Sequence, residues 1–124
     1  MKDDKDDKDN KDDKVYLLHF RDAILRVLDY TAEGRESFFG DAKTQDAVIR
    51  NLEIMGEAVK HLSKELRASQ EHVPWKRIAG MRDKMIHAYF GVNLDLVWNA
   101  VVNELPSLGK EVDRICKELS EAED

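Results

Sequence analysis

Apolar residues recur every three or four positions from residue 15 to residue 120, which is the spacing of one face of an α-helix. Glycine- and proline-containing stretches interrupt this recurrence, and no segment shows strand alternation bounded by hairpin turns. The pattern predicts four main helices, over 15–32, 44–68, 81–90 and 94–120. We therefore expect an all-α protein, a four-helix up-down bundle with a short extra turn before the third helix.

Single residues mark where these helices begin, end or bend. Thr44 is expected to cap the second helix and Asn93 the fourth, and Gly91 is expected to end the third. Pro106 predicts a kink in the fourth helix because it removes one backbone hydrogen bond. Gly56 lies in the middle of the second helix, where glycine costs about 1 kcal/mol relative to alanine. Its presence predicts the close approach of another helix.

Two segments lie outside the helical pattern. Residues 1–14 repeat Lys-Asp-Asp and offer nothing to a core, so they predict a disordered tail before a helical domain of 15–124. The repeat lacks the glycine turn and the glutamate of a calcium loop. Residues 34–43 predict a connecting loop in which Phe38 and Phe39 plug the core.

Composition limits the class of protein. A length of 124 residues predicts one domain, and the single cysteine, Cys116, excludes an internal disulfide and is expected to be a small apolar residue. No apolar run is long enough to cross a membrane and no secretory signal is visible, so a soluble, cytoplasmic protein is expected. The net charge of −6 argues against a broad nucleic-acid footprint but leaves room for a small basic site.

The residues with the most chemistry lie between Arg82 and Tyr89. Arg82 is a forked cation suited to phosphate, His87 exchanges a proton near neutral pH, and Asp83 can orient the arginine. In one straight helix Arg82 and Tyr89 share a face, whereas His87 lies about 140° from Arg82. Either the helix begins after Arg82, or a second copy of the chain completes the site as a symmetric dimer.

Each of these residues also has a structural interpretation. His87 is then a core histidine bonded to a carbonyl, Arg82 is an ion-pair partner of Asp83 or a glutamate, and Tyr89 and Phe90 are packing aromatics. Three further cations near the motif predict either an RNA-contacting patch or a solubilising face. These cations are Lys76, Arg77 and Lys84.

The second helix carries charged residues that suggest no catalytic role. Arg50 and Glu57 share a face, which favours an ion pair to another helix. Glu57, His61 and Glu65 have a spacing of four that suggests a metal site, but a solvated face is favoured because the chain has no Glu-x-x-His pair. No metal and no cofactor are expected.

The arrangement Arg82-x4-His87-x-Tyr89 resembles the motif of the HEPN superfamily, and in particular the HepT-type toxins of prokaryotic toxin–antitoxin pairs. Residues 44–58 are similar to the second helix of that family, and residues 73–81 to its approach to the motif. Together with 16–24, these blocks extend the resemblance over residues 15–120. The Lys-Asp tail is not part of the family pattern.

The resemblance implies a metal-independent endoribonuclease that acts as a homodimer on RNA. It implies that His87 acts as the base, that Arg82 stabilises phosphate charge, that Asp83 orients and that Tyr89 contacts the substrate. It also implies a minimal nucleotidyltransferase (MNT-type) antitoxin that transfers adenylyl groups to Tyr89. Two alternatives stay open: a non-catalytic helical subunit that holds a substrate for a nucleotidyltransferase, and a degenerate dimer without chemistry.

Overall fold

In a computed structural model of the protein, the described residues are 4–87 and 91–123, with side chains over 12–85 and 91–122. The elements in order are α1 (Asp4–Tyr30), α2 (Arg35–Phe39), α3 (Ala42–Lys60), α4 (Lys64–Ser69), α5 (Trp75–Ala79), α6 (Met81–Met85), β1 (Ile86–His87), β2 (Gly91–Val92), α7 (Leu94–Asn103) and α8 (Leu105–Glu123). The predicted all-α fold is confirmed. Helix α1 packs against α3 and α8, and α7 packs against α8. None of the helices over the described ranges is long and apolar enough to cross a bilayer.

Helix α1 supplies the centre of the core. Its residues Leu17, Phe20 and Ile24 have no exposed surface, and each such side chain contributes roughly 1.5–3 kcal/mol by burial. Helices α3 and α8 bring matching apolar stripes to the same core. These stripes are Val48, Leu52, Met55 and Val59 on α3, and Val112 and Ile115 on α8. Cys116 is also buried, as expected, and burial raises the pKa of its thiol.

The start of the first helix differs from the prediction. Helix α1 begins at Asp4, well before residue 15. Asp13, inside the predicted tail, is 3% exposed, and its carboxylate accepts hydrogen bonds from the Ser63 N–H at 2.7 Å and the Ser63 hydroxyl at 2.6 Å. The expectation that nothing in the repeat is buried is therefore wrong at Asp13, because donors at Ser63 compensate for its burial. The division of the chain into a tail and a domain stays a prediction.

The predicted second helix, 44–68, is two helices separated near Ser63. Ser63 adopts an extended conformation (φ −66°, ψ 153°) and caps α4. Its N–H donates to Asp13 rather than to a carbonyl of α3, so α3 does not continue through it. Leu62 and Leu66 are nevertheless buried. The apolar pattern therefore runs across the break without a gap.

Two further helix caps are defined by side-chain hydrogen bonds. Asp41, rather than the predicted Thr44, caps α3: its carboxylate accepts from the Lys43 N–H at 3.0 Å and from the Thr44 hydroxyl at 2.8 Å. The hydrogen bond from Thr44, with smaller contributions from the helix N-terminus, lowers the pKa of Asp41. Asn93 caps α7 as predicted, accepting from the Leu96 N–H at 3.1 Å.

Residues 34–43, predicted as a loop, contain the short helix α2. The aromatic plug is confirmed. Phe38 is 1% exposed and stacks on Trp98 of α7 with ring centroids 5.4 Å apart, and Phe39 meets Phe38 edge-on at 5.3 Å. These rings attach the connection between α1 and α3 to α7.

The predicted motif helix, 81–90, is wrong beyond Met85. Helix α6 ends there, and β1 and β2 pair antiparallel with His87 opposite Gly91. Gly91 has a φ of +83°, a conformation that other residues rarely adopt. The Asn93 N–H donates to the Met85 carbonyl at 2.8 Å. Gly91 therefore begins a strand instead of ending a helix, and the strand pairing brings β2 back to the end of α6.

The predicted fourth helix, 94–120, is divided at Glu104 into α7 and α8. Pro106 is the second residue of α8, where its missing N–H would have no partner within the helix. The Glu104 N–H still donates to the Ala100 carbonyl, and the Glu104 carbonyl accepts from the Leu108 N–H. The interruption near Pro106 is therefore confined to Glu104.

Gly56 marks a close approach, as predicted. A Cβ atom at this position would lie 3.4 Å from the Ala79 carbonyl oxygen and 3.7 Å from the Ile78 carbonyl oxygen. The approaching backbone is therefore that of α5. Helix α3 thus positions the short helices that lead to the motif.

Candidate active site

Two five-residue helices, α5 and α6, carry the charged residues near the motif. They bury Ile78, Met81 and Met85 against the core. Helices this short are not stable alone, so these buried side chains set their orientation. The charged residues between Met81 and Met85 therefore face solvent.

The Arg82 guanidinium lies beside two carboxylates and is 49% exposed. Its Nε is 3.7 Å from Glu53 Oε2, and its Nη1 is 3.5 Å from Asp83 Oδ1. Charge-assisted hydrogen bonds are normally about 2.7–2.9 Å long, so both contacts are loose. The interpretation of Arg82 as an ion-pair partner of Asp83 or a glutamate is confirmed. The loose contacts also leave the five-donor guanidinium able to bind a phosphate.

His87 and Tyr89 complete the predicted motif. The His87 backbone lies in β1, whereas its side chain and all of Tyr89 lie outside the described residues. Because α6 contains Arg82 and ends at Met85, the alternative in which the helix begins after Arg82 is wrong. The 140° separation between Arg82 and His87 assumed one straight helix, so it does not apply to this structure. The pairing of Arg82 with His87 and the roles of the motif residues stay predictions.

The cations predicted as RNA contacts lie together along a groove of about 760 Å³ between α4, α5 and α6. These cations are Lys76, Arg77 and Lys84. Arg67 of α4 lines the groove as well, together with the acidic Glu71. Arg82 does not line it and lies beside Glu53 of α3 instead. Helix α6 thus has Lys84 on the groove side and Arg82 on the α3 side.

Two residues near the site were not predicted from the sequence. Glu53 shares a face of α3 with Arg50 and Glu57, and that shared face was the available signal. Nothing in the sequence separates Arg67 from other surface cations, because its position depends on the break between α3 and α4. The tertiary structure was needed to find it.

The predicted ion pair from Glu57 to another helix is wrong. Glu57 contacts Lys60 at 3.7 Å and His61 at 4.0 Å, both at the end of its own helix. The His61 ring stacks on Tyr16 of α1 with centroids 4.7 Å apart. Over the part of the chain whose side chains are described, no group of three or more His, Cys, Asp or Glu residues could hold a metal ion.

The described residues thus form an all-α bundle in which an exposed arginine on α6 is followed by a histidine in the strand β1. The chain belongs to the HepT-like ribonuclease family, since the family profile "Ribonuclease HepT-like" matches residues 20–115. The matched region includes Arg82, His87 and Tyr89. The resemblance to HEPN-type HepT proteins is confirmed, and the chain is an endoribonuclease of the HepT type.

Curated relatives agree with this assignment. A Methanocaldococcus jannaschii protein named as a joint gamma-glutamylcyclotransferase and candidate RNase is 45% identical over 107 residues, covering 86% of this chain and 48% of that protein. The chain thus spans about half the length of this relative. A second candidate RNase of the same organism is 41% identical, covering 90% of this chain and 92% of its own. The "Probable ribonuclease HepT" of Thermococcus cleftensis is 42% identical, covering 84% and 96%. No solved structure matches the chain significantly.

Proposed function

We propose that this chain is a metal-independent endoribonuclease toxin of the cytoplasm, which cleaves RNA at a cleft between two copies of itself. A cognate minimal nucleotidyltransferase acts as its antitoxin. The observation that carries the proposal is Arg82, exposed and loosely held by two carboxylates, on a helix that ends shortly before His87. A phosphate can replace a carboxylate at such a guanidinium. Both groups are oxyanions with two oxygens that accept hydrogen bonds from its paired N–H donors.

Cleavage uses the RNA's own 2′-hydroxyl as the nucleophile. His87 removes the hydroxyl proton, the 2′-oxygen attacks the adjacent phosphorus, and the bond from phosphorus to the 5′-oxygen breaks. The leaving 5′-oxygen takes up a proton, so the products are a 2′,3′-cyclic phosphate end and a 5′-hydroxyl end. Arg82 stabilises the charge on the non-bridging oxygens, an effect of about 10²–10³ in rate for comparable single donors.

A second copy of the chain completes the cleft in this proposal. A symmetric pairing brings two copies of Arg82 and His87 around one RNA strand, and the imidazole that protonates the leaving oxygen belongs to either copy. Asp83, 3.5 Å from Arg82, orients the guanidinium, and Tyr89 contacts the substrate. Three of the cations that line the groove contact neighbouring phosphates. They are Lys76, Arg77 and Lys84.

Neutralisation acts on the motif tyrosine. The Tyr89 hydroxyl oxygen attacks the α-phosphorus of ATP on the nucleotidyltransferase, pyrophosphate leaves, and an adenylyl phosphodiester forms on the tyrosine. The new phosphate is negatively charged and lies near Arg82 in sequence. It therefore competes with the RNA phosphate for the same guanidinium.

Induction of the protein alone tests the catalytic proposal. We expect growth arrest and RNA loss with the parent and with His19→Ala, which changes an exposed histidine of α1, and neither effect with His87→Ala. RNA cleaved by the purified protein in the presence of a chelator should carry cyclic phosphate ends, detected by mass spectrometry. Equal behaviour of the parent and His87→Ala would contradict catalysis and favour the alternative of a non-catalytic binding subunit.

Mass spectrometry of the protein produced together with its antitoxin tests the modification. We expect an adenylyl group on the peptide that contains Tyr89, and none on the peptides with Tyr16 and Tyr30. Tyr89→Phe should stay toxic in the presence of the antitoxin if it keeps its cleavage activity. Unmodified Tyr89 in fully neutralised material would show that the antitoxin acts by another route.

A further inference from the structure

The groove between α4, α5 and α6 collects positive charge on a protein whose net charge is −6. Its charged lining consists of Arg67, Lys76, Arg77, Lys84 and the single acid Glu71. Arg77 is paired with Glu104 of the turn between α7 and α8. Within the described residues, the other three cations form no ion pair. The groove therefore presents three unpaired cations, each from a different helix, against the one acid Glu71.

The groove has fixed walls. The Trp75 indole N–H donates to the Gln70 carbonyl at 3.0 Å, and the Val73 N–H donates to the same carbonyl at 3.1 Å. Trp75 itself is 6% exposed. Arg67 Nε lies 3.5 Å from the Ser63 carbonyl oxygen, at the start of its own helix. The two bonds to Gln70 hold the end of α4 beside the start of α5, and the third restrains the Arg67 guanidinium, so the backbone of the groove is set before a ligand binds.

We propose that this groove binds the backbone of single-stranded RNA beside the cleavage site, with Arg67, Lys76 and Lys84 as the phosphate contacts. The inference rests on the proposed function and deepens it by assigning the substrate a path over the surface. A strand with one negative charge per nucleotide matches a row of cations from successive helices. A single strand fits because its backbone is free to align the 2′-oxygen with the leaving oxygen.

Helix α6 joins the groove to the motif. Lys84 lines the groove, and Arg82, two residues earlier, lies on the other side of the helix beside Glu53. A strand bound in the groove therefore reaches Arg82 by crossing one short helix. Loss of the groove cations should weaken RNA binding and raise KM, whereas loss of Arg82 should slow the bond-breaking step.

Fluorescence anisotropy with a labelled 2′-O-methyl oligouridylate tests the path, because this probe lacks the attacking hydroxyl and is not cleaved. On single strands each phosphate contact contributes about 0.7 to the slope of log Kd against log salt. We expect Arg67→Ala/Lys84→Ala to reduce this slope by about 1.4 and to raise KM for cleavage of unmodified RNA. A charge-retaining variant, Arg67→Lys/Lys84→Arg, should restore the slope.

The matched control is Lys110→Ala/Lys117→Ala, which removes two exposed cations of α8 and should leave the slope unchanged. Thermal melting verifies that all variants are folded. An unchanged slope in the groove variant overturns the inference even if the parent cleaves RNA. The inference is also overturned if the parent binds a duplex of the same length more tightly than the single strand. It is overturned as well if the groove variant keeps RNA binding but no longer associates with the nucleotidyltransferase. Normal probe binding without any cleavage is instead a failure of the proposed function.

Discussion

The bundle around α1 and the segment from α4 to β2 are built in different ways. In the bundle, long helices bury continuous apolar stripes, and residues such as Leu17 and Phe20 have no exposed surface. In the segment, helices of five or six residues each bury only one or two side chains and point their charges outward. The bundle is stabilised by the apolar surface that its own helices bury. The segment from α4 to β2 depends on its attachments to the bundle.

The attachments are few and specific. Asp13 of α1 holds Ser63 at the start of α4, and Gly56 of α3 lets the backbone of α5 come close. The Phe20 ring meets the Trp75 ring edge-on with centroids 6.4 Å apart. Damage to the bundle should therefore remove activity through unfolding, whereas damage to exposed residues of the segment should remove activity from a folded protein.

Phe20→Ala should destabilise the bundle most. Phe20 of α1 is fully buried, and its ring meets the Trp75 ring. Truncating a buried phenylalanine to alanine costs about 3–5 kcal/mol because it leaves a cavity. Urea unfolding followed by circular dichroism measures the loss. Leu25→Ala, at a position of the same helix that is 55% exposed, should change the free energy of unfolding by no more than about 0.5 kcal/mol. Similar losses in the two variants would contradict the central place of α1.

Arg82→Ala should lower the activity without lowering the stability of the fold. We expect a fall of about 10²–10³ in the cleavage rate, since the main stabiliser of the phosphate charge is removed. The free energy of unfolding should change by no more than about 0.5 kcal/mol, because the ion pairs of Arg82 are long and exposed. Single-turnover cleavage and urea unfolding measure the two quantities. Arg26→Ala, an exposed arginine of α1, is the control; a loss of stability that parallels the loss of rate would assign Arg82 a structural role.

Asp13→Ala tests the link between the two regions. Its removal leaves the Ser63 N–H and hydroxyl without their partner, at a cost of about 1–3 kcal/mol. Asp12→Ala removes the neighbouring, exposed carboxylate and should be neutral. Thermal unfolding compares the variants, and hydrogen exchange at Ser63 should speed up only in Asp13→Ala. Equal melting temperatures for the two variants would show that the hydrogen bonds between Ser63 and Asp13 do not stabilise the fold.

Glu111→Gln should have the smallest effect and a clear pH dependence. Arg114, at 2.8 Å, and His72, also at 2.8 Å, lower the pKa of Glu111 below its ordinary value of 4.5. The ionised carboxylate therefore stabilises the fold above that value, and this contribution is lost as the pH falls through the lowered pKa. The melting temperature of the variant should be slightly below that of the parent at neutral pH and equal to it in strong acid. Glu121→Gln, at an exposed position, should show no such trend.

Much of this molecule was predictable from residue types and their spacing. The recurrence of apolar residues every three or four positions predicted the buried face of α3, which includes Val48 and Val59, and Gly56 predicted a close approach. The residue types between Arg82 and Tyr89 indicated the candidate site. The predictions for α3 succeeded because burial depends first on what a side chain is. The assignment of the site to the residues between Arg82 and Tyr89 stays a prediction.

The positions at which helices stop were not predictable in this way. The second predicted helix is interrupted before Ser63, whose N–H donates to Asp13, 50 residues away in the sequence, rather than to a carbonyl of α3. The chain turns back after Met85 because Asn93 donates to the Met85 carbonyl. Arg67 reaches the groove only as a result of the first of these breaks. Local periodicity cannot contain such information, since each break depends on a partner that only the folded chain brings near.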